Sequence, residues 1–267
     1  MSSLSVTVVQ VASSLDPEVN RDRLASQVGD GADLVVLPEA AARDFGPAGS
    51  DVSAYAETLD GPFASEVARL AADRTTTVVA GMFERSDDPA RPWNTLVVRG
   101  AAEAAYRKIH LYDSFGYRES DALTAGRLEP VVVEVPARGD GAAEPFRVGL
   151  MTCYDLRFPE HARLLVDGGA EVLVVPSAWV AGSRKLDHWR TLVRARAIEN
   201  TVYVVAAAQS GPRYTGHSLV VDPLGDVLAE AGEGDETLGA TLERDVLDDA
   251  RRTNPSLANR RLPPTAL

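Results

Sequence analysis

The chain has 267 residues, 45% hydrophobic and 25% charged, an ordinary globular composition with enough apolar surface for one large core. Its formal net charge of −12 argues against a nucleic-acid or anionic-membrane partner, because phosphates and acidic lipids repel an acidic protein; small molecules are the expected partners. A single cysteine excludes an intramolecular disulfide framework and a multi-cysteine metal site, so the one thiol is either buried filler or chemistry.

The N-terminus lacks the basic region of a signal peptide, and residues 6–12 form a strand-length apolar run rather than a secretory h-region with a cleavage site. No segment approaches the roughly 20 apolar residues that a membrane span needs, and a reduced, cytoplasmic setting is expected. After the strand at 6–11 the spacing predicts a helix over 18–28 and a strand over 34–37. Leu37-Pro38-Glu39 closes that strand and sets a carboxylate at the rim of a core. A partly desolvated carboxylate is a competent base; the alternative is a loop glutamate with its head in water.

A helix over 63–74 and strands over 78–80 and 95–98 follow. In Tyr106-Arg107-Lys108-Ile109-His110, alternation places Tyr106, Lys108 and His110 on one strand face. Lys108 is either a solvated charge or an ammonium that would lower a nearby thiol pKa and stabilise an oxyanion. Strands over 131–135 and 148–151 are joined by a Gly/Ala-rich stretch, 138–145, that reads as a hairpin loop.

Cys153 stands where the strand at 148–151 ends, and a helix over 159–167 starts at Pro159. A buried thiol is one reading. A strand-to-helix turn, however, projects a side chain into a cleft, and Tyr154-Asp155-Leu156-Arg157-Phe158-Pro159 does not continue an apolar core. A thiol nucleophile needs a base, because the thiolate attacks. The four histidines, His110, His161, His188 and His217, show neither a cysteine-protease pattern nor two-His metal spacing; His161 reads as a helix residue, and Glu39 offers another route to a base.

Beyond the cysteine come a strand over 172–175, a helix over 185–200 with Leu186, Trp189, Val193 and Ala197 on one face, a strand over 202–208 and a turn over 232–236. Prolines make residues 255–267 an expected extended arm. Residues 31–40 align without a gap with residues 169–178. The echo suggests an α/β chain of two pseudo-symmetric halves, two sheets face to face with helices outside; similarity between any two buried parallel strands is the alternative. Glu39 and Cys153 would then both stand at carboxyl ends of strands, where open α/β sheets place ligands.

Three segments in order, Leu37-Pro38-Glu39, the stretch from Tyr106 to Asp113 and the stretch from Cys153 to Glu160, resemble the signature segments of the nitrilase-like carbon–nitrogen hydrolases. The likeness extends through 175–179, 194–200, 216–218 and 221–225, and so covers essentially the whole chain. It implies a Glu–Lys–Cys triad of Glu39, Lys108 and Cys153, with a second glutamate at Glu119. It also implies a four-layer α-β-β-α sandwich of two mixed sheets in a single domain, 1–267, and a homodimer. In such a scheme Glu39 deprotonates Cys153, the thiolate attacks an amide carbonyl, and Lys108 and the backbone N–H of Tyr154 hold the oxyanion.

Within the superfamily the chain looks most like the ω-amidase and deaminated-glutathione amidase group, which acts on small carboxamides carrying a carboxylate. By that resemblance Arg157 would clamp the carboxylate, as a guanidinium suits, and Trp179 would wall the pocket. Arg157 could instead pair with Asp155 or Glu160, and Trp179 could be core. N-carbamoyl-amide hydrolysis and nitrilase activity use the same triad; acyl transfer to an amine and a non-catalytic binding role are further alternatives. No cofactor or metal is expected, since there is no Gly-x-Gly-x-x-Gly turn and no cluster of metal ligands.

Overall fold

The apolar runs and helical stretches are laid down as two similar series in a computed structural model that describes residues 2–137 and 143–262. The first comprises β1 (Ser3–Gln10), α1 (Pro17–Gln27), β2 (Leu34–Val36), α2 (Pro62–Arg74), β3 (Thr77–Glu84), β4 (Trp93–Arg99), β5 (Ala104–Arg107) and the short hairpin β6 (Asp113–Ser114) and β7 (Tyr117–Arg118). The second comprises β8 (Val132–Val135), β9 (Phe146–Leu150), α3 (Pro159–Asp167), β10 (Val172–Val174), α4 (Lys185–Asn200), β11 (Tyr203–Ala206), β12 (Leu219–Val221) and β13 (Val227–Glu230). Then come β14 (Glu236–Glu243) and α5 (Arg244–Thr253).

Two six-stranded sheets result, ordered β14-β1-β2-β3-β4-β5 and β8-β9-β10-β11-β12-β13. Read in that direction, both have the same pairing pattern: one antiparallel pair, two parallel pairs and two antiparallel pairs. β2 and β10 occupy equivalent positions, and the aligned Gly31 and Gly169 that precede them both adopt a φ of 94°. That left-handed conformation favours glycine. The repeat in the sequence is therefore a repeat in the fold.

Alternation along the strands builds three apolar layers. Between the sheets, Val6, Leu34 and Val79 of one meet Val148, Val172 and Val205 of the other. The outer face of the first sheet, with Val35 and Val78, packs on Leu24 of α1 and Val67 and Leu70 of α2. The outer face of the second, with Leu173 and Val204, packs on Leu165 of α3 and Trp189 and Val193 of α4. This is the α-β-β-α sandwich. Helix starts follow local chemistry: Asp16 accepts the Glu18 N–H at 2.9 Å to cap α1, and α1, α2 and α3 each begin with proline.

Several expectations change in detail. β5 ends at Arg107, so Lys108 and His110 lie past the strand and do not share its face. β13, β14 and α5 escape the apolar pattern because they are exposed: β13 and β14 are edge strands, and only Leu247 and Ala250 of α5 are buried. Of the arm expected over 255–267, residues 256–259 form a turn, and Arg260 pairs with Asp167 of α3 at 2.5 Å. Residues 263–267, and 138–142 of the expected hairpin loop, lie outside the described residues. Among the described residues no helix is long and apolar enough to cross a membrane.

β3 runs directly behind the loop that carries Glu39. The Gly81 N–H donates to the Pro38 carbonyl at 3.2 Å, and its own carbonyl accepts from the Ala42 N–H at 3.0 Å. A Cβ there would lie 2.5 Å from the Ala40 nitrogen and 2.7 Å from the Glu39 Cα, too close for backbone to tolerate. Gly81→Ala should therefore destabilise the fold by about 1–3 kcal/mol, the usual cost of overpacking. Urea unfolding measures this; an unchanged midpoint would mean that the Glu39 loop yields freely.

Candidate active site

Four chain reversals deliver the polar side chains to one place. Glu39 follows β2 and is succeeded by Ala40 in a left-handed conformation, φ 56°. Lys108 follows β5, its carbonyl accepting the Gly126 N–H at 2.8 Å. Glu119 opens a short 3-10 helix after β7. Cys153 opens another, Cys153–Arg157, beyond the end of β9. Its φ is 45°, a conformation that costs a non-glycine residue roughly 1–3 kcal/mol and persists only where its surroundings enforce it.

Those surroundings centre on Asp155, which is fully buried. It accepts from the Thr152 N–H at 2.9 Å, the Tyr106 hydroxyl at 2.6 Å and the His110 N–H at 3.1 Å, and His110 Nδ1 lies 2.7 Å away. Burial pushes its carboxyl pKa up, but the His110 hydrogen bond, the nearby His161 and the Tyr106 and Thr152 donors outweigh burial and hold it below the usual range. The Cys153 N–H in turn donates to the Pro176 carbonyl at 3.0 Å. The elbow is thus tied to the second sheet. His161, taken from sequence as a helix residue, is one, but it is buried with its Nδ1 3.8 Å from Asp155. His110, Asp155 and His161 are within reach of a shared metal ion; the 2.7 Å between His110 and Asp155 is instead the separation of a hydrogen bond.

The three remaining ionisable groups form one buried cluster. Lys108 Nζ donates to Glu39 Oε1 at 2.9 Å and to Glu119 at 2.9 and 3.1 Å. Glu39 Oε1 also accepts from Asn94 Nδ2 at 2.7 Å, and its Oε2 from the Ala178 N–H at 2.6 Å. Glu119 Oε2 accepts the Tyr112 N–H at 2.6 Å. Burial alone would lower the Lys108 pKa, yet Glu119 and Glu39 hold it well above its ordinary value. Burial raises the Glu119 pKa, with Lys108 opposing and Glu39 adding to the rise. The Cys153 thiol pKa is pushed well up by burial and by the Glu39 charge, with Lys108 pulling the other way. The thiol therefore rests protonated beside a proton acceptor and an ammonium, an arrangement suited to acyl transfer.

These groups open into a cavity of about 750 Å³. Tyr154, Arg157 and Trp179 lie in its wall. The Tyr154 N–H has no acceptor among the described residues and is free to receive a developing oxyanion. The Arg157 guanidinium lies 4.9 Å from the centre of the Trp179 ring, with Nε and Nη2 buried and without hydrogen-bond partners. Neither Asp155 nor Glu160 pairs with it, so the structural ion pair considered from sequence is absent. Trp179 is both wall and core: its Nε1 donates to the Lys185 carbonyl at 2.9 Å, and its ring packs on Trp189.

Sequence reasoning missed Asn94, Gln209 and Lys185. Gln209 Nε2 donates to the Glu39 and Ala40 carbonyls at 2.9 and 3.2 Å and fixes that loop from the second sheet. A polar residue inside an apolar strand, as Asn94 is in β4, was the one available signal.

The family model for carbon-nitrogen hydrolases matches residues 5–252. The chain is 38% identical to a deaminated glutathione amidase from Escherichia coli O157:H7, over 94% of this chain and 93% of the relative. It is 37% identical to a 2-oxoglutaramate amidase from Paenarthrobacter nicotinovorans, over 97% and 90%. Among solved structures, a CN-hydrolase superfamily protein from Xanthomonas campestris with an arsenic adduct in its active site superposes with a TM-score of 0.85 at 29% identity, covering 98% of each chain. A mutant of the amidase from Nesterenkonia sp. AN1, carrying acrylamide added to its active-site cysteine, superposes at 0.74 with 26% identity, covering 96% of this chain and 99% of that one.

The charge on Glu39 raises the thiol pKa while Lys108 lowers it. Glu39→Gln removes the first influence and leaves the second, so the pH midpoint for alkylation of Cys153 by iodoacetamide should fall relative to the parent. A midpoint that stays put or rises would show that Glu39 does not govern the thiol.

Proposed function

Since the chain belongs to the carbon–nitrogen hydrolase family, we propose that it is a cysteine-dependent amidase cleaving the carbon–nitrogen bond of a small carboxamide that also bears a carboxylate, with release of ammonia. The observation that carries this reading is the Cys153 thiol lining one cavity with Glu39 and Lys108, which are bound to each other at 2.9 Å.

Glu39 takes the thiol proton as Sγ attacks the carbonyl carbon, so no free thiolate accumulates in the resting site. Lys108 Nζ and the Tyr154 N–H stabilise the oxyanion of the tetrahedral intermediate. Collapse breaks the carbon–nitrogen bond, the leaving nitrogen takes the proton from Glu39, and ammonia departs from a Cys153 thioester. Glu39 then deprotonates a water that attacks the thioester; the acid leaves and the proton returns to sulfur. Glu119, hydrogen-bonded to Lys108 and to the Tyr112 backbone, holds the ammonium in place. Arg157 takes the substrate carboxylate, and Trp179 walls the acyl chain.

The names of the relatives support the substrate class, as deaminated glutathione amidase and 2-oxoglutaramate amidase both name amide cleavage. The unpartnered guanidinium of Arg157 favours a carboxylate-bearing amide over an uncharged nitrile. The reading also includes a single domain, a homodimer and a cytoplasmic setting, to which a single free thiol is suited. Light scattering should return twice the chain mass.

Ammonia release from ω-carboxamides, nitriles and N-carbamoyl compounds tests the assignment. Carboxylate-bearing amides should be turned over, and hydroxylamine in the same assay reports any acyl transfer. Cys153→Ala should abolish release, and Lys108→Ala should lower kcat by at least about 10²–10³, the loss that follows removal of one oxyanion donor. Substantial activity in Cys153→Ala would sink the scheme.

A further inference from the structure

Lys185, the first residue of α4, is only 9% exposed, yet no carboxylate pairs with it among the described residues. Its Nζ donates to the Tyr112 hydroxyl at 2.9 Å and lies 3.9 Å from the centre of the Phe115 ring and 5.9 Å from that of Trp179. Arg157 approaches the same indole at 4.9 Å, with two nitrogens unpartnered. A buried cation without a counter-ion is costly, and aromatic faces and a phenol oxygen compensate it only in part. Here buried Lys185 and half-buried Arg157 border one cavity.

The formal charges of the cavity sharpen the point. Glu39 and Glu119 face Lys108, Arg157 and Lys185, while Arg213 is already paired with Asp44. One positive charge is left over, the charge that a single carboxylate on the ligand would neutralise. The uncompensated cations are on the aromatic wall, since Lys108 is already held between Glu39 and Glu119.

We propose that Lys185 is a second anion-binding residue, which with Arg157 forms a subsite for the carboxylate of a monoanionic amide, Tyr112 and Phe115 positioning its ammonium. The fork of a guanidinium and the point charge of an ammonium can share one carboxylate. A neutral amide would leave both cations unpaired, and a site built around a polar partner rejects an analogue that lacks it. Burial and the neighbouring Arg157 already depress the Lys185 pKa, and the charge of a bound anion would oppose both. The inference rests on the amidase reading for the identity of the reacting group, but the subsite itself can be tested without turnover.

The test compares succinamate with butanamide, which carries a methyl group in place of the carboxylate, and measures succinate binding by calorimetry. The parent should prefer succinamate in kcat/KM. Lys185→Met should reduce that preference and weaken succinate binding, each by about 10- to 100-fold, the worth of a hydrogen bond to a charged group; Lys185→Arg should keep most of both. If Lys185→Met does not fold, Tyr112→Phe, which removes only the hydroxyl that anchors the ammonium, carries the same comparison in the same direction. Unchanged preference and unchanged succinate affinity would overturn the proposal, as would equal losses on both amides with succinate binding intact. Failure to release ammonia from either amide would count against the amidase reading alone, because succinate binding would still report on the subsite.

Discussion

An ammonium enclosed between two carboxylates, all three almost without contact with water, is the constraint on which the rest of the site depends. Each of these groups loses several kcal/mol of hydration on burial, and their mutual attraction offsets the loss only when every remaining hydrogen-bonding position is filled. The filling is visible: Asn94 and the Ala178 N–H complete Glu39, and the Tyr112 N–H completes Glu119. Glu39 and Asn94 belong to the first sheet and its loops, whereas Ala178 follows a strand of the second. The cluster can therefore form only when the two halves have closed face to face, so the sandwich and the site are assembled together.

Cys153, the proposed nucleophile, sits under a related constraint. Its left-handed backbone is unfavourable by itself and is imposed by Asp155, which binds both the start of the elbow at Thr152 and, through Tyr106 and His110, the chain that carries Lys108. One buried carboxylate thus sets the relation between cysteine and lysine. Because burial and Glu39 keep the thiol protonated, reactivity does not come from a standing thiolate, as it does beside a histidine or a helix N-terminus. In the proposed mechanism it comes from a proton acceptor placed to act at the moment of attack, which would spare the thiol from adventitious oxidation.

Much of this was legible in the sequence, for reasons that differ from residue to residue. The parallel strands are largely buried on both faces, so the apolar runs of β2 and β9 could be located by their ends, and Glu39 and Cys153 follow from those ends. Lys108 was found by its motif and not by periodicity: alternation carried the strand on to His110, whereas β5 stops at Arg107. Lys185 was invisible, because a lysine near a helix start is ordinarily solvated and nothing local shows that Tyr112 and Phe115, distant in sequence, fold over it. The same holds for Gln209, whose partner is the backbone of a loop from the other half. Long-range polar pairs of this kind leave no periodic trace.

The two groups of cations in the cavity differ in how far they are neutralised, and that difference has a consequence for the chemistry. Lys108 is fully compensated by protein groups, so ligand binding need not disturb the charges around Cys153. Arg157 and Lys185 are left for the ligand to neutralise. A carboxylate arriving there would neutralise one of the wall's two positive charges and weaken a reason for water to remain in an otherwise apolar cavity. Expelling that water would lower the local dielectric and strengthen every interaction at the floor, including those proposed for Lys108 and the Tyr154 N–H with a developing oxyanion. Recognition at the wall would in this way contribute to stabilisation of the transition state several bonds away, with binding energy from a non-reacting group expressed at the reacting carbon.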